Sequence, residues 1–363
     1  MISNKEIIPV VFITDDNYAL PTAVAINSLI KNKKRRSKYK IFVLFSKLSE
    51  DIKNSFKKYN SSNVSIELIK PNNADFLLSI KDKREGDYVS SAVLFKFAIP
   101  KIFKDYEKVI YIDGDTLIMD DLSDLYNTNL KNVYVGVVKD VHPILSGAYK
   151  RLGLDTYFNA GVILYNIQKI LSDGVDDYLN SDEVLKQTNK YFWFEQDTYN
   201  VTFNKNVKYL NPKYNFIIES WDRYGIKNSS NVFELTPSVG KSLYKKSVIY
   251  HLASEQKPWI YKDGLMRKTW EKYYKSSPFS FMPIGNEVYF KEKSKDKFIE
   301  KLFSIKNTND KRHKCITILG LKIKIKAKKR KQSVKDKINI LESKIDNLNN
   351  QIFELKELIK GEK

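Results

Sequence analysis

The first 170 residues of this chain alternate between short apolar stretches and segments with the periodicity of amphipathic helices. The apolar stretches are rich in β-branched residues, and two of the helical segments cover residues 22–30 and 49–59. Near-continuous apolar strands that alternate with helices are typical of a parallel or mixed sheet covered on both faces. We therefore predict an α/β fold of the nucleotide-binding type, which binds ligands at the carboxyl ends of its strands. The predicted strands are residues 7–14, 41–45, 64–69, 109–112, 133–138 and 161–165.

The pattern changes after about residue 270, so we predict a catalytic or binding domain over residues 1–270 and a helical or linker region over residues 271–311. Residues 312–331 then combine an apolar patch, strict Ile/Lys alternation and a basic cluster. Residues 332–363 carry a heptad with isoleucine on one seam and mostly leucine on the other, which favours a parallel two-stranded coiled coil and hence a homodimer. The alternative is one amphipathic helix folded back on the body. The seam residues are Ile338, Ile345, Ile352 and Ile359, and Val334, Leu341, Leu348 and Leu355.

The chain is strongly basic, with a formal net charge of +20, but the charge is concentrated near its end. Residues 301–363 hold 18 Lys and Arg against 7 Asp and Glu, which is more than half of the excess. Three interpretations fit residues 312–331: a membrane-surface anchor, a nucleic-acid arm, or the edge of a β-hairpin. The basic run lacks the interleaved aromatic residues of a nucleic-acid arm. We therefore expect an anionic membrane surface as the partner, and no nucleic acid.

The single cysteine, Cys315, excludes an intrachain disulfide framework and suits a reducing cytoplasm. No apolar run approaches the roughly 20 residues of a transmembrane helix. The first apolar run is short and ends in two acids, so we expect neither a signal peptide nor a membrane span there. These features predict a cytoplasmic protein that is peripheral on the inner face of the cell membrane.

Two carboxylates, Asp113 and Asp115, stand one residue apart directly after a predicted strand, in the stretch "YIDGD". Residues i and i+2 of a strand point to the same side about 7 Å apart, so both carboxylates can converge on one cation. The alternative is a β-hairpin in which Asp113 and Gly114 form a type I′ turn and Asp115 is only solvated.

Four stretches taken together resemble a known family, glycosyltransferase family 8, whose members are retaining enzymes with a GT-A fold and a sugar-nucleotide donor. The bacterial lipopolysaccharide glucosyl- and galactosyltransferases belong to it. The resemblance covers roughly residues 7–270, and it implies a mixed, mainly parallel sheet. The stretches are "TDDNY" (residues 14–18), "YIDGD" (111–115), "YFNAGVILYN" (157–166) and "HLASEQKPW" (251–259).

The resemblance implies a divalent metal held by Asp113, Asp115 and His251. Two carboxylates and one imidazole suit Mn²⁺, with Mg²⁺ as the less histidine-tolerant option. Lys257, in the position of the family's lysine before Pro-Trp, would be a point charge on the diphosphate of a UDP-sugar. Ser254 stands where the family has glycine, which predicts a narrower approach to the β-phosphate.

The same resemblance implies which residues bind the nucleotide and the sugar of the donor. Tyr18 would stack on uracil, Asp15 and Asn17 would bond the base and ribose, and Ile13 would line the floor of the pocket. Asn159 is similar to the family's donor-sugar contact. Read from the residues alone, "DDNY" is equally a turn that leads to a helix start near residue 21.

The stretch "FEQDTYN" resembles the family's Asp-Gln-Asp segment, with Glu195 in place of the first aspartate. A covalent intermediate would need an enzyme nucleophile, and the uncharged amide of Gln196 is a poor one. We therefore expect front-face attack, with Gln196 stabilising oxocarbenium character while Glu195 and Asp140 hold sugar hydroxyls. Lys96 falls where relatives often carry arginine near the phosphates and sugar, and it lacks arginine's bidentate fork.

The expected function is transfer of a hexose from UDP-glucose or UDP-galactose to a hydroxyl of a cell-surface glycan such as lipopolysaccharide or capsule, with an α-glycosidic product. The acceptor is expected to be a glycan or a lipid-linked glycan. One alternative is a coiled-coil scaffold or binding protein with a vestigial sugar-nucleotide fold. A second is a metal-dependent phosphohydrolase, but typical two-metal sites need more carboxylates and histidines than these motifs supply.

Overall fold

The computed structural model describes residues 7–72, 74, 77 and 91–285, together with the backbones of three strands within residues 303–326. The chain divides into two compact units, Met1–Val288 and Tyr289–Lys363. The predicted coiled coil at residues 332–363 lies outside the described residues. In the part of the chain that is described, no helix is long and apolar enough to cross a bilayer.

The first unit is built on a seven-stranded sheet. All six predicted strands are present, with ends that differ from the prediction by at most three residues. The strands of this unit are β1 Ile7–Thr14, β2 Lys38–Phe45, β3 Val64–Ile69, β4 Lys108–Ile112, β5 Thr116–Ile118, β6 Val135–Lys139, β7 Phe158–Asn166, β8 Val207–Tyr209, β9 Phe216–Ile217 and β10 Ile249–His251.

The helices cover both faces of this sheet, and the two predicted helical segments fall on the first two of them. The described helices are α1 Ala19–Asn32, α2 Glu50–Lys57, α3 Phe95–Ile102, α4 Ser123–Tyr126, α5 Val141–Ser146, α6 Ile167–Ser172, α7 Val175–Leu179, α8 Asp182–Lys190, α9 Phe194–Phe203, α10 Ile218–Tyr224, α11 Ile226–Val232, α12 Pro237–Lys246 and α13 Arg267–Lys275, with 3₁₀ turns at Ser91–Leu94, Ala148–Leu152 and Pro212–Tyr214.

The strand order is β3-β2-β1-β4-β7-β6-β8. Strands β3, β2, β1 and β4 are mutually parallel, and β6 is parallel to β8. Strand β7 runs antiparallel to both of its neighbours, β4 and β6. The prediction of a mixed, mostly parallel sheet is therefore confirmed.

Burial on both faces explains why the strands read as continuous apolar runs. In β1, Val10 and Phe12 contribute to one hydrophobic core, and Val11 and Ile13 to the other. Successive strand residues point to opposite faces, so a strand covered on both sides needs apolar side chains at every position. Helix α1 is buried from Ala19 to Leu29 on the first of these faces.

The hairpin interpretation of "YIDGD" is wrong. Strand β4 ends at Ile112 and β5 begins at Thr116, but β5 does not pair with β4. It pairs antiparallel with β10, and Thr116 lies opposite His251. The chain leaves the large sheet after β4 because the second edge of β4 is already occupied by β7.

The predicted boundary at residue 270 falls inside helix α13 (Arg267–Lys275). Trp270 and Tyr273 of this helix are 1% and 4% exposed and belong to the core of the first unit. In the second unit, three antiparallel strands follow: β11 Phe303–Asn307, β12 His313–Ile318 and β13 Leu321–Lys326. Of the three interpretations of residues 312–331, the pairing of β12 with β13 matches the hairpin, and β11 lies within the predicted linker region.

Candidate active site

The polar residues singled out in the sequence gather at one edge of the large sheet. The carboxyl ends of β1, β4 and β6 meet there with the beginning of β7, because β7 runs in the opposite direction. The register of β6 against β7 shifts between Val137, which lies opposite Ile163, and Val138, which lies opposite Asn159. The resulting bulge in β7 contains Gly161. Bulges beside functional sites redirect side chains out of the regular pleat.

The turn after β4 holds Asp113 and Asp115 in place. The backbone N–H of Asp113 donates to the carbonyl of Gly161 over 2.7 Å, and the Tyr111 hydroxyl donates to the Asp113 carboxylate. A Cβ atom at Gly114 would lie 2.3 Å from the Thr22 hydroxyl oxygen, so only glycine allows the turn to approach helix α1 this closely.

Strand β10 brings His251 to the two carboxylates. Its Nε2 lies 3.2 Å from Asp115 Oδ1 and 3.8 Å from Asp113 Oδ2. One ligand atom from each of the three residues lies within 4.8 Å of the others. A Cβ at Gly161 would be 2.3 Å from His251 Cε1 and 2.8 Å from Asp113 Oδ2, so the absence of a side chain there makes room for the cluster. The predicted ligand set is therefore assembled in space.

A chain of hydrogen bonds determines the tautomer of His251. The backbone N–H of Gly161 can only donate, so its partner at 2.8 Å is the amide oxygen of Asn159. That oxygen also accepts from Asn215 Nδ2 at 2.9 Å, which turns the Asn215 oxygen towards His251 Nδ1, 2.9 Å away. Nδ1 must then carry a proton, so Nε2, which faces the carboxylates, is the ring nitrogen that can bind a metal.

Two lysines balance the buried carboxylate of Asp115 and the partly buried carboxylate of Asp113. Lys257 Nζ lies 2.6 Å from Asp115 Oδ2, and Lys96 Nζ lies 3.3 Å from Asp113 Oδ1. Burial alone would raise the pKa of Asp115, but the Lys257 ammonium and His251 outweigh it and hold the pKa well below its usual range. Burial would likewise lower the pKa of Lys96, but Asp113 and Glu195 raise it above its ordinary value. Both groups are therefore ionised near neutral pH.

A second network lies beside this cluster and contains the predicted catalytic residues. Gln196 Oε1 accepts from Asn159 Nδ2 at 3.1 Å and from the backbone N–H of Ala160 at 3.0 Å. Asn159 Nδ2 also donates to Asp140 Oδ2 at 3.0 Å. Glu195, 7% exposed, accepts from Lys96 Nζ at 3.0 Å. Burial raises the pKa of Asp140, although the hydrogen bond from Asn159 opposes the shift.

The predicted nucleotide-pocket residues lie at the end of β1 and the start of α1. Ile13 is 8% exposed, and Asp15 Oδ1 accepts from the backbone N–H of Tyr18 at 2.9 Å, which fastens the turn. Burial and the nearby Asp115 carboxylate raise the pKa of Tyr18 well above its ordinary value. Its ring meets Trp259 edge to face at 5.7 Å. Asn17 is exposed and stands apart from the networks described above.

Sequence reasoning missed several residues of the site. Asn215 is 3% exposed and orients both His251 and Asn159, yet it lies in the stretch "NPKYNFI", which reads only as a turn. Asp197 is fully buried and accepts from Arg151 and from the Tyr157 hydroxyl. A buried polar residue with remote partners leaves no local pattern in a sequence. Its partners become visible only in the folded chain.

Comparison with known proteins identifies the class. Residues 9–263 match the family described as "Glycosyl transferase family 8". This match covers more than half of the chain, so the chain belongs to glycosyl transferase family 8. The prediction of the family is confirmed.

A putative glycosyltransferase of Haemophilus influenzae is 29% identical over 227 residues, which are 60% of this chain and 66% of that protein. The lipopolysaccharide 1,2-glucosyltransferase of Escherichia coli K12 is 29% identical over 176 residues, 47% of this chain and 49% of that protein. The alignments therefore span about half to two thirds of these two relatives.

Among solved structures, the galactosyltransferase LgtC in complex with donor and acceptor sugar analogues superposes with a TM-score of 0.60 at 21% identity, covering 78% of this chain and all of that one. The apo structure of a WbbM bifunctional glycosyltransferase gives the same TM-score at 24% identity, covering 77% of this chain and 51% of that one. At these identities the likeness shows the fold, which is that of the GT-A glycosyltransferases.

Proposed function

We propose that this chain is a metal-dependent, retaining hexosyltransferase that moves glucose or galactose from its UDP-sugar to a hydroxyl of a cell-surface glycan or lipid-linked acceptor. The observation that carries this proposal is the convergence of the Asp113, Asp115 and His251 cluster with the network around Gln196 at one edge of the sheet. The names of two family relatives, a lipopolysaccharide glucosyltransferase and a galactosyltransferase, agree with this class of reaction.

The three residues fit a divalent cation. Two hard oxygen donors and one imidazole nitrogen suit Mn²⁺, and Mg²⁺ is the alternative. The hydrogen-bond chain from Gly161 places a proton on His251 Nδ1, so Nε2 is the ring nitrogen that would bind the cation. When bound, the cation would neutralise charge on the donor's diphosphate and stabilise UDP as a leaving group.

The net charge of the site also favours binding of a divalent cation, followed by binding of the anionic diphosphate. Three carboxylates, those of Asp113, Asp115 and Glu195, face two ammonium groups, those of Lys96 and Lys257. The excess negative charge attracts a divalent ion, and a diphosphate then restores the balance. Lys257 is the ammonium that can serve the diphosphate, because its side chain is 19% exposed whereas that of Lys96 is 2% exposed.

The contacts of Gln196 support front-face attack. The bond between the sugar's anomeric carbon and the phosphate oxygen breaks, the bond to the acceptor oxygen forms on the same face, and the acceptor's proton passes to the departing phosphate. Gln196 Oε1 already accepts two hydrogen bonds, which fix its dipole and further reduce its weak nucleophilicity. The Glu195 carboxylate is paired with Lys96. A covalent glycosyl adduct on Glu195 or Gln196, trapped by mass spectrometry, would overturn this mechanism.

The function is tested by measuring UDP release from a panel of UDP-sugars with and without Mn²⁺. We expect metal-dependent release from one hexose donor, with loss of that release in Asp113→Ala. Asp124→Ala is the matched control, because Asp124 is an exposed carboxylate on the same segment of chain. Failure of every UDP-sugar to bind or turn over in the presence of metal would contradict the proposal and favour the scaffold interpretation.

We further propose that residues 312–331 bind an anionic membrane surface on the cytoplasmic side, where a lipid-linked acceptor would be presented. The register pairs Ile316 with Ile305 and with Ile323, and the flanking positions of β13 are lysines. Leucine or isoleucine alternates with lysine along β13, and each lysine near an anionic leaflet contributes about 1 kcal/mol. Deletion of residues 312–363 should abolish cosedimentation with anionic vesicles, and undiminished binding would contradict the proposal.

A further inference from the structure

A group of aromatic side chains beside the catalytic network has no role in the functions assigned so far. Phe192, Trp193, His142 and Tyr224 form what we call the aromatic platform. The ring centroids of Phe192 and Trp193 are 5.3 Å apart, those of Trp193 and His142 are 6.0 Å apart, and those of His142 and Tyr224 are 5.8 Å apart. Phe192 is 72% exposed, and the other three are partly exposed.

The platform borders the residues that carry the proposed transfer. Trp193 packs on Tyr157 at 5.5 Å, and the Tyr157 hydroxyl accepts from Gln196 Nε2 at 3.4 Å. The backbone N–H of His142 donates to Asp140 Oδ1 at 3.2 Å. The platform is therefore linked to Gln196 through the buried Tyr157 and to Asp140 through the backbone of His142.

Arg151 packs against two rings of the platform and holds them in place. The Arg151 guanidinium lies 4.7 Å from the ring centre of Trp193 and 5.8 Å from that of Phe192. Arg151 is in turn anchored to both oxygens of the fully buried Asp197, at 2.8 and 2.6 Å. A rigid aromatic surface loses little conformational freedom when a ligand binds, so it is suited to recognition.

We propose that the aromatic platform binds the acceptor, and that the acceptor presents a pyranose ring at this position. One face of a pyranose carries mainly C–H groups with partial positive charge, which complement the negative face of an aromatic ring. The neighbouring polar groups can meet the ring hydroxyls. This assignment rests on the proposed glycosyl transfer, and it specifies the chemical class of the second substrate.

Retention by front-face attack requires the acceptor to lie beside the donor sugar. In front-face attack the acceptor oxygen approaches the sugar on the side from which the phosphate leaves, so the acceptor must lie against the donor sugar. Asn159 and Asp140, which would hold the donor sugar, and Gln196 beside it form one network. His142 and Trp193 lie along that network, and Phe192 extends the surface outwards. The platform would thus hold one ring beside the donor sugar, and the exposed Phe192 would contact a further residue of a glycan.

The experiment measures how added acceptors stimulate UDP release by the full chain with its preferred UDP-sugar and Mn²⁺. The probes are the methyl β-pyranosides of galactose, glucose and N-acetylglucosamine, with sorbitol as a polyol that lacks a ring face. We expect at least one pyranoside, but not sorbitol, to stimulate release. In Phe192→Ala the KM for that pyranoside should rise about three- to tenfold, while the KM for the donor changes less than twofold. Phe192→Tyr should restore the acceptor KM.

Phe281→Ala is the matched control, since Phe281 is 62% exposed and also packs on one neighbouring ring. It should leave both KM values unchanged. If no donor is bound or hydrolysed, the proposed function itself fails. If a donor is hydrolysed but no pyranoside stimulates release, or if Phe192→Ala keeps the wild-type acceptor KM, the acceptor assignment is overturned. A change of oligomeric state in Phe192→Ala with an unchanged KM would instead mark the platform as an interface between copies.

Discussion

Gly161→Ala offers the sharpest test of the metal cluster. A methyl group at this position would overlap with two of the proposed ligands, His251 and Asp113. In Gly161→Ala the new Cβ would lie 2.3 Å from His251 Cε1, 2.8 Å from Asn159 Oδ1 and 2.8 Å from Asp113 Oδ2. Carbon atoms in contact are normally at least about 3.5 Å apart. The imidazole must therefore move by about 1.2 Å, or strand β7 must yield. The strand resists, since the Gly161 carbonyl is bonded to the backbone of Asp113 at 2.7 Å.

The expected loss of affinity follows from this displacement. Metal–ligand distances tolerate only about 0.2 Å, so a ring shifted by several times that amount no longer supplies a proper third ligand. We expect the affinity for Mn²⁺, titrated calorimetrically in the presence of UDP, to fall about 100-fold. Overpacking should also reduce the free energy of unfolding by about 1–3 kcal/mol, which urea denaturation measures on the same samples.

Gly136→Ala is the control for the same change in the same sheet. Its Cβ would meet only side-chain atoms, Leu130 Cδ2 and Leu210 Cδ2 at 3.3 Å, and these can shift slightly. This variant should bind Mn²⁺ as the wild type does. If Gly161→Ala unfolds cooperatively and still binds Mn²⁺ within twofold of the wild type, the cluster of Asp113, Asp115 and His251 is not the metal site.

Three further predictions follow from buried polar groups. Asn215→Ala should weaken Mn²⁺ binding about 10- to 100-fold, because His251 loses the partner that orients it. The control is Asn27→Ala, since Asn27 is also buried but bonds to helix α13; it should destabilise the fold without changing the metal affinity. Equal metal affinities in the two variants would refute this prediction. Burial alone would raise the pKa of Asp121, but hydrogen bonds, chiefly from Ser123, lower it from 3.8 to about 2. A depressed pKa stabilises the fold above the unfolded-state pKa, so Asp121→Asn should cost about 2 kcal/mol at pH 7, and the difference in urea stability should shrink as the pH falls from about 4 towards 2; a difference that is constant with pH would contradict the assignment. The Ser254 hydroxyl oxygen is buried and has no hydrogen-bond partner among the described residues. Ser254→Ala should therefore raise the ligand-free stability by about 1 kcal/mol and lower the UDP affinity if this hydroxyl meets the diphosphate, and an unchanged affinity would exclude that contact.

The sheet was predictable from the sequence because both of its faces are buried. A strand such as β1 needs an apolar residue at every position, and such runs stand out against the polar turns between them. The position of Asp113 and Asp115 at a strand end was predictable for the same reason. The family's ordered motifs added His251, which lies far away in the sequence.

The pairing of β5 with β10 was not predictable. Residues 116–118 and 249–251 are both short apolar stretches, and such strands carry little information about their partner or register. Local turn chemistry favoured a hairpin after Asp113, but the tertiary structure gives β4 another neighbour, β7. This one pairing places Thr116 opposite His251 and thereby completes the cluster.

The hydrogen bonds inside the site could not be predicted either, because the residues that they join lie far apart in the sequence. Lys96 bonds Glu195 99 positions away, and Asn215 bonds Asn159 56 positions away. Neither residue alters the periodicity of the segment that carries it. The family resemblance pointed to Lys96 only through its position in the sequence, and nothing in the sequence pointed to Asn215.

The two lysines explain how this chain can hold a cluster of acids in place before any ligand arrives. A buried carboxylate without a partner costs several kcal/mol, so Asp115 on its own would destabilise the turn after β4, and the partly buried Asp113 beside it would add like-charge repulsion. Lys96 compensates Asp113 from a fully buried position and also holds Glu195. Lys257 compensates Asp115 from a partly exposed loop. The buried lysine thus belongs to the permanent framework, while the exposed one is placed where its charge can be shared with an incoming diphosphate. A lysine suits this second position better than an arginine, because a single flexible ammonium can change partners without giving up a bidentate pair.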